Sequence, residues 1–319
     1  MNQTFSFGQV ICRPVLERDL DEIREFCKTI WDGHDYVPDV LDDWFHDPRG
    51  IFAVAEYEGH AIACSKITWL AEGQWWLEGF RVDPNYQGRK VGSLIHHYVD
   101  GWWLEHGAGV LRLMTSSKNK SVHHLCESTS YTRLFEVRGY KAEPLGGRAD
   151  MFTPAASTER DLPSVIAFSR SSPSLSITRC VVDFGWRFAD PTQSRALTDL
   201  FSDASALDHH FFWWRNKKGL LIVWDDFDPD EGRHTIGIGV LACDMEDMPT
   251  LLNDVRHLAA EQGKTSVFWL APVHEQVQAA LKQAGFSSDW DNTAYVFEKE
   301  HPQRTQPEKS SSVRRSEIA

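Results

Sequence analysis

Between Phe80 and Val99 the sequence reads FRVDPNYQGRKVGSLIHHYV, and its centre, Gln87-Gly88-Arg89-Lys90-Val91-Gly92, suits an anion. A strand entering a helix through such a turn points several backbone N–H groups one way, none with an intrahelical partner. The helix dipole adds positive potential at the same end. Two glycines let a phosphate approach the backbone, Arg89 and Lys90 add charge, and Ser93 follows on the first turn. A pyrophosphate fits these features. The loop is not a Walker loop, because G-x-x-x-x-G-K-[ST] is absent. Gly237-Ile238-Gly239-Val240-Leu241-Ala242 matches the dinucleotide pattern G-x-G-x-x-A, but it lies inside a strand and opens no helix, so it is set aside.

The elements around the loop alternate between strand and helix. Residues 15–31 carry apolar residues at helical spacing with acids near their start. Residues 50–70 read as two strands joined at Glu58-Gly59, and 74–84 as a further strand closed by Asp83-Pro84. The next helix runs to about Glu105 with Val91, Leu94, Ile95, Tyr98 and Trp102 on one face. A buried strand (109–117), a short helix (121–129) and an extended segment (131–143) follow. From 149 to 176 the composition turns to Ser, Pro, Thr and Ala, which reads as a linker. Beyond it a hairpin around the acidic turn 225–232, a helix, a strand, a helix and a strand repeat the order of 50–143, as a diverged duplication would. The expected division is therefore 1–148, a linker at 149–176, a second unit at 177–300 and a disordered tail at 301–319.

Composition narrows the function. A length of 319 residues suits two domains, and 42% apolar with 25% charged residues is ordinary for a soluble globular protein. The thirteen tryptophans, several in pairs, are expected mostly in the core. A net charge of −13 argues against nucleic acid as a partner. No run is long enough to span a membrane and the start lacks the regions of a signal peptide, so the expected compartment is the cytoplasm. The cysteines at 12, 27, 64, 126, 180 and 243 form no C-x-x-C pair. His96-His97 and His123-His124 are helix neighbours about 100° apart, a poor ligand geometry, and His209-His210 has no supporting pattern. No metal is expected.

V-D-P-x-Y-Q-G-R-x-x-G after a strand resembles the acyl-CoA pyrophosphate loop of the GNAT superfamily of N-acetyltransferases, Q/R-x-x-G-x-G/A. Gln87, Gly88, Arg89, Val91 and Gly92 fit; Lys90 stands where the family usually has glycine. NKSVHHLCESTSY (119–131) is similar to the family's next motif, N-x-x-A-x-x-L-Y-E-x-x-G-F, through Asn119, Leu125, Glu127 and Ser130-Tyr131. The second half ends a helix with Gly285-Phe286 but has no glycine-rich loop after Cys243, and looks like a repeat that lost its cofactor site.

The resemblance implies an α/β (α+β) GNAT fold: a mixed central sheet with splayed parallel strands flanked by helices, plus a second diverged GNAT-like domain. It implies acetyl-CoA as co-substrate, held by Gln87 to Ser93 and Asn119, with its pantetheine arm on the backbone of Phe80, Arg81 and Val82. The N–H of Phe80 or Arg81 would stabilise an oxyanion, and Gly79 sits where a bulge is expected. Amine attack needs a base. Glu78 lies on this strand, with Glu78, Phe80 and Val82 on one face by parity, and is the candidate; its competing role is an ion-paired strand residue. The family's tyrosine acid is replaced by Cys126, whose thiol could donate a proton or simply pack, leaving Tyr131 or water as the acid. D-Y-V-P at 35–38, with the W-x-x-D-P-x-G that follows, looks like the histidine N-acetyltransferase-like group. Asp35 would hold an ammonium and Tyr36 would stack on a planar side chain, against plain capping and packing roles.

The expected function is acetyl transfer to a small amine, an amino acid such as histidine leading. A peptide or protein amine, or an acyl-CoA-binding sensor without turnover, are the alternatives. The second half is expected to shape the pocket or to form a homodimer face.

Overall fold

The structure, a computed structural model, describes residues 6–155, 161–193, 209–228 and 232–302. The first half runs β1 (Ile11–Pro14), α1 (Leu20–Cys27), α2 (Val37–His46), β2 (Gly50–Tyr57), β3 (His60–Ala71), β4 (Gln74–Val82), α3 (Val91–His106), β5 (Val110–Ser116), α4 (Lys120–Ser128) and β6 (Thr132–Ala142). There follow β7 (Phe152–Pro154), α5 (Leu162–Ser171), α6 (Pro173–Ser176), β8 (Val182–Asp183), β9 (Phe188–Ala189) and β10 (His209–Trp214). The chain continues through β11 (Gly219–Asp228), β12 (Arg233–Cys243), α7 (Met248–Glu261), β13 (Ser266–Pro272), α8 (Glu275–Gln283) and β14 (Ala294–Glu300).

The β2–β3 turn forms as expected: Glu58 and Gly59 both have positive φ, +53° and +87°, the combination that matches strand twist in a two-residue hairpin. The helix after the loop also forms, but its buried stripe is Val91, Ile95, Val99 and Trp103, each at most 1% exposed. That i, i+4 ridge is rotated from the expected face, and Leu94 and Trp102 sit at its border.

The expected linker at 149–176 contains structure. Leu162–Ser171 and Pro173–Ser176 are helical, each with proline in its first turn, where the missing N–H costs no hydrogen bond. Val165 and Leu175 anchor them in a core.

Among the described residues twelve strands form one sheet, in the order β1-β2-β3-β4-β5-β14-β6-β13-β12-β11-β10-β7. The last strand of each half is placed against the other half. β14 lies between β5 and β6, antiparallel to both, and β6 pairs with β13. A division at 148 therefore does not separate two self-contained sheets. Hydrophobic periodicity identifies a strand but not its neighbour, so the exchange was invisible in the sequence.

Candidate active site

β4 and β5 are parallel and pair only through Gln74, Trp75 and Trp76 against Val110, Leu111 and Arg112. Beyond that point they diverge, opening a wedge along Leu77–Val82. Opposite, on β3, Cys64 faces Arg81 and Lys66 faces Glu78, so Gly79 and Phe80 together oppose Ser65. This is a bulge, with Gly79 at φ +61° and the ring of Trp44 packed where a side chain would project. The bulge resets the strand's parity. Phe80 and Val82 turn to α3, against Gly92, while Arg81 turns to the α1–α2 face to meet Asp35. Glu78 shares that second face with Thr68. The expected common face of Glu78, Phe80 and Val82 is thus corrected, because one extra residue inverts a period of two.

Glu78 is engaged. Its side chain is 6% exposed, accepts from the Thr68 hydroxyl, and is clamped by Arg187, Nε at 3.1 Å and Nη2 at 3.0 Å. Asp35 is engaged as well: Arg81 donates twice at 2.7 Å, and the Val37 amide at 3.2 Å makes Asp35 a cap for α2. Asp35, expected to receive a substrate ammonium, is thus paired with the planar guanidinium of Arg81 in this structure. Tyr36 is 42% exposed, with the Arg81 guanidinium over its ring at 5.4 Å. Desolvation and the nearby Glu78 push its phenol up to about 12, against Arg81, so the ring is neutral and open to stacking. Lys66, fully buried, is bound to Asp47 at 2.7 Å; burial lowers its pKa and Asp47 opposes.

At the loop, Gly88 has φ +73° and Lys90 takes the left-handed conformation at φ +65°. The first helical bond of α3 runs from the Leu94 N–H to the Lys90 carbonyl at 3.1 Å, so the amides of Val91, Gly92 and Ser93 precede the ladder. Nothing lies within 4 Å of where a side chain at Gly88 would begin. The Gln87 amide ties back to the Val82 carbonyl, and Arg89 lies over the Tyr86 ring. These residues fit a diphosphate: converging donors, a positive helix end and an open approach.

Two expected site residues have other roles. The Asn119 side chain accepts from the Val122 N–H at 3.3 Å and caps α4. Cys126 is fully buried among Val99, Trp103, Leu111 and Tyr131. Burial pushes its thiol up to about 12, and it packs rather than facing the wedge. Tyr131 is buried too, donating to Asp100 under α3. Among the described residues no cluster of three His, Cys, Asp or Glu side chains has metal-binding geometry. His96 bonds Thr129 and His123 bonds the Ser116 carbonyl.

Residues 18–131 match the acetyltransferase (GNAT) family. Two solved structures superpose over nearly the whole chain. One is a GCN5-related N-acetyltransferase from Sphaerobacter thermophilus, 14% identical, TM-score 0.59, covering 92% of this chain and 96% of that one. The other is a tandem GNAT protein from the clavulanic acid biosynthesis pathway, 9% identical, TM-score 0.57, covering 92% and 99%. The chain has the GNAT fold. A human protein described as Probable N-acetyltransferase 16 is 30% identical over 83 residues, which is 26% of this chain and 22% of that protein's length.

The second GNAT-like half has its own wedge. β12 and β13 pair from Thr235–Ile238 against Ser266–Trp269 and then part. Here the chain fills the gap itself. The Ser174 hydroxyl donates to the Leu241 carbonyl at 2.8 Å and accepts from the Cys243 N–H at 3.0 Å, taking both backbone groups of the splayed edge. Asp183 follows, its carbonyl crowding Gly239. The glycine pair set aside in the sequence serves close packing: Trp224 lies on Gly237, and Asp183 on Gly239. The Asp183 carboxyl is 3% exposed, neither oxygen has a hydrogen-bond partner, and it lines a cavity of 30 Å³ with Val182, Phe188 and Leu270. Burial pushes it up to about 8; the nearby Trp186 backbone amide, short of full hydrogen-bond geometry, opposes weakly.

Arg187, which completes the environment of Glu78, was missed by the sequence reading. It comes from the second half, 109 positions away, within no motif. No local signal marks it.

Proposed function

We propose that this protein transfers an acetyl group from acetyl-CoA to the primary amine of a small molecule, an amino acid such as histidine being the leading acceptor. The observation that supports the reading is one juxtaposition: the wedge beside the β4 bulge lies between the unpaired amides opening α3 and the carboxylate of Glu78. The Val91, Gly92 and Ser93 amides with Arg89 and Lys90 would hold the diphosphate, and the β4 backbone at Phe80–Val82 would align the pantetheine arm. Acetyl-CoA, when bound, supplies an acyl group activated as a thioester.

Glu78 accepts a proton from the acceptor's ammonium, leaving a neutral amine whose lone pair can attack. The β4 amides at the bulge would stabilise negative charge on the carbonyl oxygen as the C–N bond forms; the thioester C–S bond then breaks, and the CoA thiolate leaves and takes a proton from water. Tyr36 borders the acceptor side. Among the described residues no helix is long and apolar enough to cross a membrane, and all six cysteines are free thiols, which supports a reducing compartment such as the cytoplasm.

The test is a thiol-release assay with acetyl-CoA across free amino acids, simple amines and polyamines, run beside Glu78→Gln. Transfer to a preferred acceptor, lost on Glu78→Gln at neutral pH, is the expected result. A second reading, a CoA-binding sensor without turnover, draws on the clamping of Glu78 by Arg187; it expects CoA binding with no thiol release on any amine.

A further inference from the structure

Arg187 reaches Glu78 from a hairpin built to hold it still. Val182 pairs with Ala189 and the Phe184 N–H bonds the Arg187 carbonyl at 2.7 Å, closing a turn whose central residues, Gly185 and Trp186, both have φ +67°. That is the two-residue turn matching strand twist, and it places a tryptophan in a backbone region such residues rarely adopt. The surroundings hold it there: Trp186 stacks on Phe268 and Trp290, with centroids at 5.5 and 6.1 Å. On the other side Phe188, 2% exposed, packs against Trp76 and Phe135. Two residues further, the buried Gln74 of β4 bonds both the N–H and the carbonyl of Asp190, at 2.7 and 2.8 Å. The second half thus delivers one guanidinium to the strand that lines the first half's wedge.

The candidate base is among its present partners. Three donor contacts, one from Thr68 and two from Arg187, occupy Glu78, leaving about one of the roughly four acceptor positions of a carboxylate. The Arg187 side chain remains 26% exposed, so an entering anion can reach it. In an α-amino acid the nitrogen and the carboxylate carbon are joined through one carbon, about 2.5 Å apart. Such a zwitterion can set its carboxylate on Arg187 and its ammonium on Glu78.

We propose that Arg187 is the anion receptor of the acceptor site: the acceptor's carboxylate takes the guanidinium over from Glu78, and the released Glu78 then receives the ammonium proton. The protein is therefore selective for amines with a carboxylate on the adjacent carbon, and the base is released only when such an acceptor enters. This rests on the acetyl-transfer reading above. Arg187 acts here on specificity and positioning; the proton goes to Glu78.

The experiment compares an α-amino acid with the amine left when its carboxylate is removed, histidine and histamine for example, in the full-length chain. Wild type, Arg187→Ala, Arg187→Lys and Glu78→Gln are each assayed for kcat and KM with acetyl-CoA. Histidine binding is measured by calorimetry in the presence of CoA. Wild type is expected to prefer the amino acid. Arg187→Ala is expected to lose about 100-fold in kcat/KM on it, mostly through KM, while the rate on the amine rises because Glu78 is already released. Arg187→Lys keeps part of the preference, since it restores charge without the fork. An unchanged preference in Arg187→Ala, both acceptors falling alike, overturns the proposal and leaves Arg187 as a brace. If no variant turns over either acceptor, the acetyl-transfer reading falls, and calorimetry still decides this one: binding that depends on Arg187 upholds it, and binding that ignores Arg187, or none, overturns it.

Discussion

Lys299, on the last described strand, places its ammonium 2.6 and 2.9 Å from the two carboxylate oxygens of Asp100, on the long helix of the first half. The two residues are 199 positions apart, and the Tyr131 hydroxyl joins them at 3.3 Å. The pair is almost dry, its side chains 10% and 8% exposed. It ties β14 to α3 across the two halves of the chain.

Removing one member of a buried pair strands the other's charge, which costs more than the pair itself contributes. Lys299→Met is expected to destabilise the protein by about 3 kcal/mol, read as a lowered midpoint in urea. A chain ending at 148 loses β14 altogether and bares β5 and β6. It is expected to aggregate, by light scattering, rather than fold as an active half.

Lys90 combines a charge with a left-handed backbone. Two substitutions separate these. Lys90→Ala removes the charge and keeps the strain; Lys90→Gly removes both. Lys90→Gly is expected to be more stable than Lys90→Ala by about 1 kcal/mol in thermal unfolding. Both should weaken CoA binding at low salt by a similar factor, with a smaller difference from wild type at high salt.

Asp183 gives stability a pH dependence whose sign is fixed. Its folded-state pKa is raised, to about 8, above an ordinary carboxylate value near 4. The native state therefore holds a proton that the unfolded chain releases. The contribution is fully present below pH ~4 and is lost as pH rises towards about 8. Asp183→Asn, neutral throughout, is expected to flatten this part of the profile. Unfolding free energies at pH 5 and pH 8 should converge in the variant and differ in wild type.

The filled wedge of the second half predicts a stoichiometry. With Ser174 bonded to Leu241 and Cys243, CoA should bind once per chain. Ser174→Ala leaves a buried amide and a carbonyl without their hydroxyl and is expected to cost about 1–3 kcal/mol, read by denaturant titration, without creating a second binding event.

The loop, the β2–β3 turn and the order of elements were legible because glycine placement and apolar spacing are local properties. The consequences of Gly79 were half legible: a bulge was expected there, but its reversal of side-chain parity past Phe80 depends on register against Ser65. Asp35 and Asn119 matched a motif by type, yet each is used by its own helix as a cap, an equally local role that spacing does not distinguish. Cys126 matched by position, but packing against Trp103 and Leu111 turns it into the core. The Ser- and Pro-rich stretch carries helices because two of its prolines, Pro163 and Pro173, fall in first turns. Arg187 and Lys299 act across sequence separations that no local pattern records.

The proposed transfer requires the amides opening α3, above Phe80 and Val82, to hold the diphosphate of CoA. Calorimetric titration of acetyl-CoA into wild type and Gly92→Asp, with folding checked by circular dichroism, tests it most directly. Saturable binding at one site is expected in wild type, weaker as salt rises, with a loss of about 100-fold in the variant from placing a carboxylate among phosphate donors. Equal affinity in a folded Gly92→Asp, or no binding to wild type, would contradict it.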